Sequence, residues 1–413
     1  MSFPLYFLHI PRTAGTTTRY WLWEFFAVED FLNVHHHEEF SRLSAAEISR
    51  CNFFSGHFGF RGSVRMPPGT QIVSIVRDAA DRLQSVKTFL QYRSPHELAL
   101  GHRDPRLAAA AAAAGLAYDT ALDNRSANAQ TRNLADFADP DNVAPVTAAD
   151  LTLAKCNLAA MAAIGLTDRL AETALLFCYA LGWPPHPISE HSNRSDRKAA
   201  VTDLDIQRHI ARVAGKTGFD EALIEFAREN FEQRLRGMIA ALRLPAGCDP
   251  ASPSGRRAIE AALRLRFLRS APAGGHVTAG VWRMEDALFY EGFEPRFHWV
   301  PAERWIRWAR SQSEVVVYLP LARDAARLTV HVELMLVANE TIRGGLRLSM
   351  NGLALETGRR LAQDGSGQRV DIFTAELPPE SLVTGQGWHA LGLEYPSEAG
   401  IKPFVLSRVA VSS

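Results

Sequence analysis

The chain has 413 residues, more than one ordinary hydrophobic core accommodates, so its length favours two domains. The 45 Lys and Arg residues balance 45 Asp and Glu residues, which leaves no global field to hold nucleic acid or an anionic membrane. Any anion site must therefore be local. The 4 cysteines have no metal-ligand spacing and indicate reduced thiols. With no signal-peptide pattern and no apolar run long enough to span a bilayer, we expect a soluble, cytoplasmic protein.

Short apolar runs alternate with helical patterns in the first half of the sequence, as is typical of βαβ units around a mostly parallel sheet. Residues 5–10, 72–76 and 161–166 are predicted to form buried strands. Helical patterns cover 173–181 and 220–242. We therefore expect an α/β fold with a parallel sheet flanked by helices.

The composition changes in the second half of the chain. A segment rich in Pro, Gly and Ser (Pro245–Arg257) is followed by a basic helical segment and then by short, often alternating, β-rich runs. Such runs, separated by turn residues, favour an antiparallel β-sandwich. We therefore divide the chain into an α/β domain at 1–245, a linker with a basic helix at 246–274, and a β-sandwich accessory domain at 275–413.

The loop PRTAGTT joins the first predicted strand to a helix expected to begin near Thr16. It lies at the carboxyl edge of the predicted sheet, where open α/β folds place their ligands. Small residues let backbone N–H groups converge, and a helix start adds free donors, so this P-loop-like turn is predicted to hold an anion. The GxxxxGK[ST] spacing of nucleotide hydrolases is absent, and the cation, Arg12, precedes Gly15. The alternative is an ordinary strand-to-helix turn rich in capping threonine.

A second basic position follows another predicted buried strand. Arg77 stands at the carboxyl end of that strand, and Arg82 and Ser85 lie early in the helix after it. An arginine at a strand end is poorly placed for packing and well placed for a bidentate grip on phosphate. Two anion sites on one sheet edge suggest a ligand with two anionic ends.

Five motifs occur in the order HIPRTAGTT, SGHFGF, VRDAADRLQS, NAQTRNL and IGLTDRLAETALLF. They resemble the HIPKTGGTS, GHxxF, RDPxxRxxS, NxQTRxL and GLTERxxESLLL motifs of sulfotransferases that use 3′-phosphoadenosine 5′-phosphosulfate (PAPS). The branch they resemble most is related to heparan-sulfate 2-O- and chondroitin sulfotransferases. The resemblance spans about residues 3–242 and implies sulfuryl transfer from PAPS, with the 3′-phosphoadenosine 5′-phosphate (PAP) as product.

The resemblance implies roles for residues in the matching motifs. The residues that would cradle the 5′-phosphosulfate are Arg12, Thr13, Ala14, Gly15, Thr16 and Thr17. Arg77 and Ser85 would hold the 3′-phosphate, and Arg12 would stabilise the departing phosphate where the family has lysine. Ala14 replaces a family glycine, which leaves open whether positive φ is needed there. An unbroken helix from Asp78 would put Ser85 about 10 Å along its axis, so we predict a later start or an oblique path.

His57 is the predicted general base. It occupies the histidine position of the family's GHxxF motif, and a good fraction of an unperturbed imidazole is neutral at pH 7. A hydrogen-bonded structural histidine is the alternative. The resemblance puts Asn128, Gln130 and Arg132 near the acceptor cleft, as substrate contacts or as structural support.

Other polar segments have structural interpretations. The run HHHEEF (35–40) is interpreted as a solvated loop or a substrate-facing patch, because consecutive histidines on a regular element cannot all face one ion. His9 precedes the loop within a predicted strand and is expected to fix the loop. The basic segment HSNRSDRK (191–198) either closes over the 3′-phosphate, touches an acidic acceptor or is an exposed loop. We expect no metal site.

The C-terminal region offers no catalytic motif. Its aromatic segment at 293–311 is interpreted as core, with a sugar-stacking platform as the alternative, and SMNG (349–352) is interpreted as a hairpin turn. The sequence as a whole predicts a PAPS-dependent sulfotransferase that modifies a hydroxyl of a glycan or glycolipid and has no nucleic-acid partner. A nucleotide-dependent kinase of related fold and a non-catalytic glycan-binding protein are the alternatives.

Overall fold

The computed structural model describes residues 3–97, 105–136, 142–188, 204–300, 304–310, 314–322, 327–364, 367–398 and 400–413. The basic segment predicted at 191–198 lies outside these residues. Among the residues described, no helix combines the length and the apolar character needed to cross a membrane.

The first part of the chain forms a four-stranded parallel sheet. Its strands are β1 (Leu5–Leu8), β2 (Phe53–Gly56), β3 (Gln71–Val76) and β4 (Ala163–Leu166). The order across the sheet is β2-β1-β3-β4. Strands β1, β2 and β4 are buried along their whole length, as expected of parallel strands covered on both faces. The three predicted strands and the α/β fold are therefore confirmed.

Helices connect these strands and continue beyond them. Their bounds are α1 (Gly15–Trp23), α2 (His37–Arg42), α3 (Ala45–Ile48), α4 (Ala79–Glu97), α5 (Pro105–Ala113), α6 (Tyr118–Ser126), α7 (Ala129–Leu134), α8 (Ala148–Ala160), α9 (Leu170–Leu181), α10 (Leu204–Ala214), α11 (Gly218–Ala241) and α12 (Pro253–Arg269). The helical patterns predicted at 173–181 and 220–242 correspond to α9 and α11. The predicted basic helix corresponds to α12, which begins after the capping residue Ser252 with Pro253 in its first turn.

The second part of the chain forms two antiparallel sheets that share one hydrophobic core. One sheet has the order β13-β14-β10-β16-β8-β7, with β5 also paired to β16, and the other has the order β12-β11-β15-β9-β6. The elements are β5 (Gly280–Arg283), β6 (Phe289–Glu291), β7 (Phe297–Trp299), β8 (Arg304–Trp308), β9 (Glu314–Leu319), β10 (Leu328–Met335), α13 (Glu340–Gly345), β11 (Arg347–Met350), β12 (Leu353–Ala354), β13 (Thr357–Gln363), β14 (Arg369–Leu377), β15 (His389–Glu394) and β16 (Val405–Ser412).

The predicted SMNG turn joins β11 to β12. Met350 pairs with Leu353, so Asn351 and Gly352 form a two-residue hairpin loop. Both have positive φ, 53° and 83°, as the right-handed twist of paired strands requires of such a loop. The turn prediction is therefore confirmed.

The two parts of the chain meet at the C-terminal end of α1. The carboxylate of Glu24, which is 3% exposed, accepts hydrogen bonds from the Tyr290 hydroxyl (2.9 Å) and the Arg296 backbone N–H (3.1 Å). It also forms a salt bridge with the fully buried guanidinium of Arg307. Burial raises the pKa of Glu24, but Arg307 and Arg296 outweigh that effect and lower the pKa below its usual value. Glu24 is therefore held as a buried anion by residues of the β-rich part.

Replacing Arg307 should test how strongly this contact stabilises the fold. Arg307→Met leaves the Glu24 carboxylate buried without its main counter-charge, and losing one partner of a buried ion pair costs about 3–5 kcal/mol. We expect the free energy of unfolding, measured by urea denaturation, to fall by that amount. The matched control is Lys402→Ala, which breaks the exposed pair with Glu294 and should cost no more than about 1 kcal/mol. Equal losses for the two variants would contradict this prediction.

Candidate functional site

The parallel sheet brings distant polar residues to one edge. Leu8 pairs with both Gly56 and Ser74, so β1 and β2 end level with each other, and β3 and β4 continue beyond them to the pair of Val76 and Leu166. The residues that follow the strand ends therefore lie at the same edge of the sheet. They include the loop after β1, His57 after β2 and Arg77 after β3.

The loop after β1 is conformationally strained. Arg12 and Ala14 have positive φ, 70° and 60°, a region that costs residues other than glycine roughly 1–2 kcal/mol. Within the loop, the Thr13 hydroxyl donates to the carbonyl of Ile10 at 2.9 Å. Ala14 thus adopts the left-handed conformation that the sequence left open. Strain of this kind concentrates at ligand-binding turns.

The loop ends at an uncapped helix start. Helix α1 begins at Gly15, and no described side chain caps its first turn. The first N–H groups of a helix have no partner within the helix, and the dipole makes this end positive, so both features favour an anion. Thr16 is partly exposed, whereas Thr13 and Thr17 are buried. The six loop residues predicted to cradle the 5′-phosphosulfate thus form one turn at the sheet edge.

Gly15 is required by a close neighbour. A Cβ at this position would lie 1.7 Å from Nε2 of His9, whose ring is almost fully buried. The imidazole therefore packs directly against the helix start. This contact agrees with the expectation that His9 fixes the loop.

Three arginines converge beside the loop. The Arg12 Nε donates to the Ser85 hydroxyl at 3.0 Å, and the buried Arg82 Nε donates to the carbonyl of Pro11 at 3.2 Å. Burial, and then the charge of Arg77, lower the pKa of Arg12. Burial also lowers the pKa of Arg82, with further lowering by Arg12 and Arg77 against an opposing contribution from Asp220. These mutual effects identify a concentration of positive charge, which we call the arginine cluster (Arg12, Arg77 and Arg82).

The side chain of Gln130 holds the backbone of Arg77. Its backbone N–H donates to Oε1 of Gln130 at 2.9 Å, and its carbonyl accepts from Nε2 of Gln130 at 2.8 Å. Among the described residues, nothing forms a hydrogen bond or ion pair with its guanidinium. The backbone is therefore fixed while the side chain is available for a ligand.

For helix α4, the sequence predicts either a late start or an oblique path, and the structure excludes the late start. The helix begins at Ala79, directly after Asp78, whose carboxylate accepts from the N–H of Asp81 at 3.0 Å, so there is no late start. An early aspartate cap fixes the beginning of the helix. Ser85 nonetheless meets the loop, because the long Arg12 side chain reaches it. The residues assigned to the two ends of the donor therefore touch each other directly.

His57 has a defined tautomer at this edge. Its Nδ1 lies 2.7 Å from the backbone carbonyl of His9, which only accepts, so Nδ1 carries the proton and Nε2 carries the lone pair. Burial is the main cause that lowers the pKa of His57, and the hydrogen bond to His9 opposes this effect. The imidazole is therefore neutral near pH 7 and able to accept a proton at Nε2.

Two further histidines surround His57. The ring centroids of His9 and His35 each lie 4.5 Å from that of His57. Burial first, and then the positive charge that His57 would carry if protonated, lower the pKa of His9 well below its usual value and that of His35 to about 4. Three neutral imidazoles thus stand together beside the loop.

The residues of the NAQTRNL motif are engaged inside the protein. The Asn128 Oδ1 accepts from the N–H groups of Phe219 and Asp220, at the start of α11. Gln130 is fully buried against the backbone of Arg77, and the Arg132 guanidinium donates to three backbone carbonyls. These contacts correspond to the structural-support interpretation. Asn128 also lines a cleft of about 520 Å³, to which neither the loop nor His57 contributes.

The sequence predicts no ligand role for Arg82 or His9, and it places His35 in a run interpreted as a solvated loop or a substrate-facing patch. Arg82 was noted in the helix after β3, and its spacing of three residues from Ser85 was the available signal that both face the loop. His35 carried no such signal, because its position depends on how an irregular segment pairs with β2. Chemically, the edge brings together positive charge, free backbone donors at a helix start and an imidazole nitrogen that carries a lone pair.

Replacing Gly15 should disrupt the loop. In Gly15→Ala the new methyl group would overlap the His9 ring, so we expect a loss of at least about 2 kcal/mol in the free energy of unfolding. Gly218→Ala is the matched control, because Gly218 also begins a helix and its Cβ would meet nothing within 4 Å. Urea denaturation compares the two variants. A neutral Gly15→Ala would mean that His9 does not pack against the loop.

A scan against models of protein families finds none that matches this chain. A search of curated proteins finds no match either. The resemblance to PAPS-dependent sulfotransferases therefore depends on the five sequence motifs, and the function inferred from them is a proposal.

Proposed function

We propose that the chain transfers a sulfuryl group from PAPS to a hydroxyl group of a glycan or glycolipid. The observation that carries this proposal is the arginine cluster next to the uncapped start of α1. The cluster provides positive charge, and the helix start provides backbone donors. PAPS, an anion with a phosphosulfate at one end and a phosphate at the other, matches both features.

The electrostatics of the cluster favour a dianionic ligand. Three arginines close together repel each other, and Asp220 is the acid that offsets Arg82. The positive charges of the other two guanidinium groups, those of the partly buried Arg12 and Arg77, are therefore not fully compensated by the described residues. Phosphate and sulfate oxygens would supply it through charge-assisted hydrogen bonds, which are worth about 1.5–3 kcal/mol each.

The proposed reaction needs a base and stabilisation of the leaving group. Nε2 of His57 would accept the proton of the acceptor hydroxyl as its oxygen attacks sulfur. The bond between sulfur and the bridging oxygen would break, and PAP would leave with the electron pair. Arg12 would stabilise the negative charge on the departing phosphate. The hydrogen bond from Nδ1 of His57 to His9 supports this role, because it keeps Nε2 free of a proton.

The first test concerns the donor. Isothermal titration calorimetry should detect PAP binding, and Arg77→Ala should weaken it by about tenfold to a hundredfold, as expected for the loss of charge-assisted hydrogen bonds. Arg50→Ala, at an exposed arginine, is the matched control and should bind as wild type does. Preference for ATP over PAP would favour a kinase, and absence of nucleotide binding would favour a glycan-binding protein without catalysis.

The second test concerns the base. His57→Ala should leave PAP affinity nearly intact, while transfer of ³⁵S from labelled donor falls by about 10² to 10⁴, the usual contribution of a general base. A panel of glycans, lipids and small alcohols serves to identify an acceptor. His298→Ala, in β7 of the β-rich part, provides a control histidine. Transfer at the wild-type rate in His57→Ala would remove His57 from the mechanism.

A further inference from the structure

Three histidines at the sheet edge lie close enough to share one ion. One ring nitrogen from each of His9, His35 and His57 lies within 4.8 Å of those of the other two. The ring centroids are 4.5 Å apart for His9 and His57, 4.5 Å for His35 and His57, and 5.5 Å for His9 and His35. We call this group the histidine triad.

Backbone pairing builds the triad from three neighbouring segments. Leu8 pairs with Gly56, so the residues that follow them, His9 and His57, are neighbours. On the other side of β2, the N–H of His57 donates to the carbonyl of His35 at 2.9 Å. The triad therefore stands on backbone that the sheet edge holds in place, and a rigid base of this kind suits a metal site.

We propose that the histidine triad binds a divalent transition-metal ion, with Zn²⁺ as the representative ion. Three imidazoles and one open position form a common zinc coordination set. A tetrahedral site with Zn–N bonds of about 2.0–2.1 Å needs nitrogens about 3.4 Å apart, and because the present distances are at most 4.8 Å, each pair of nitrogens would approach by no more than about 1.4 Å. This proposal does not depend on the proposed sulfuryl transfer.

The surroundings of two ligands support this assignment. Histidines that bind metals usually donate their second ring N–H to a carbonyl or carboxylate, which fixes the tautomer. The Nδ1 of His57 makes such a hydrogen bond to the carbonyl of His9 at 2.7 Å, which directs the lone pair to Nε2. Nδ1 of His9 is buried and has no hydrogen-bond partner among the described residues. A buried imidazole nitrogen without a partner calls for a ligand, and a metal ion would satisfy it.

Arg19 provides a test in which the direction of the change in metal affinity is predicted. Its Nη1 lies 3.5 Å from Nδ1 of His35, so its positive charge opposes a cation in the triad. A metal ion on Nδ1 of His35 would occupy the lone pair that faces Arg19. A metal ion on Nε2 would leave the proton on Nδ1, which could then no longer accept from Arg19. Removing Arg19 should therefore strengthen metal binding. A site for an anion at the same position would instead lose affinity.

The proposed ion would compete with the proposed base. Both roles use Nε2 of His57, so a bound ion would prevent that nitrogen from accepting a proton. If both proposals hold, Zn²⁺ inhibits sulfuryl transfer. Metal binding is measured directly, so failure of either proposal is visible without the other.

The experiment is isothermal titration of the full, metal-free chain with ZnCl₂. We expect one ion per chain, with affinity lowered at least about tenfold in His35→Ala and raised about tenfold in Arg19→Ala. His36→Ala, at the exposed neighbour in the same run, is the control and should bind as wild type does. Absence of binding, equal affinity in His35→Ala, or weaker binding in Arg19→Ala would overturn the proposal.

Cysteine thiols are the competing ligands, because Cys156 is exposed and Cys51 and Cys248 are partly exposed. Absorption spectra of the wild-type chain loaded with Co²⁺ separate the two kinds of site. A spectrum without thiolate-to-cobalt charge transfer is expected for imidazole ligands. A strong thiolate band would contradict the assignment, even if His35→Ala fails to fold.

Discussion

The positions of the candidate site residues depend on the parallel register of the four-stranded sheet. Because the parallel strands run in one direction, their carboxyl ends meet at one edge of the sheet, and residues separated by tens of positions in sequence are brought together there without long connecting loops. The loop around Arg12, the imidazole of His57 and the guanidinium of Arg77 owe their proximity to this constraint. A shift of register in any strand would separate charges that the fold now holds together. The sheet core, apolar and buried, is what keeps this polar edge in place.

The sequence predicted the parts of the fold that depend on local patterns. Apolar runs identified three strands, and the Asn351-Gly352 dipeptide identified a hairpin, because turn chemistry and periodicity act over a few residues. The motifs also predicted Arg12, Arg77 and His57 as site residues, and in the structure each of them follows a strand. His35 was not predicted as a neighbour of His57. Its position depends on pairing between an irregular segment and β2, and no periodic pattern encodes such pairing.

The candidate site combines several features that oppose folding. Arg12 and Ala14 adopt left-handed backbone, the arginine cluster concentrates like charge, and buried imidazoles are kept neutral. Other parts of the chain follow local preference, as in the capped start of α8 and the strands of the two antiparallel sheets. Strain and like charge of this kind concentrate at ligand-binding sites, which is why this edge is the candidate site.

Helix α1 has a different partner at each end. Its N-terminal residue packs on the His9 ring beside the loop, and Glu24, directly after its last residue, is enclosed by Tyr290, Arg296 and Arg307 of the β-rich part. The C-terminal region is therefore not an exchangeable module. Recombination that joined the α/β part to an unrelated partner would leave the Glu24 carboxylate without its cations. It would also remove the contacts that hold the C-terminal end of α1, the helix that follows the loop.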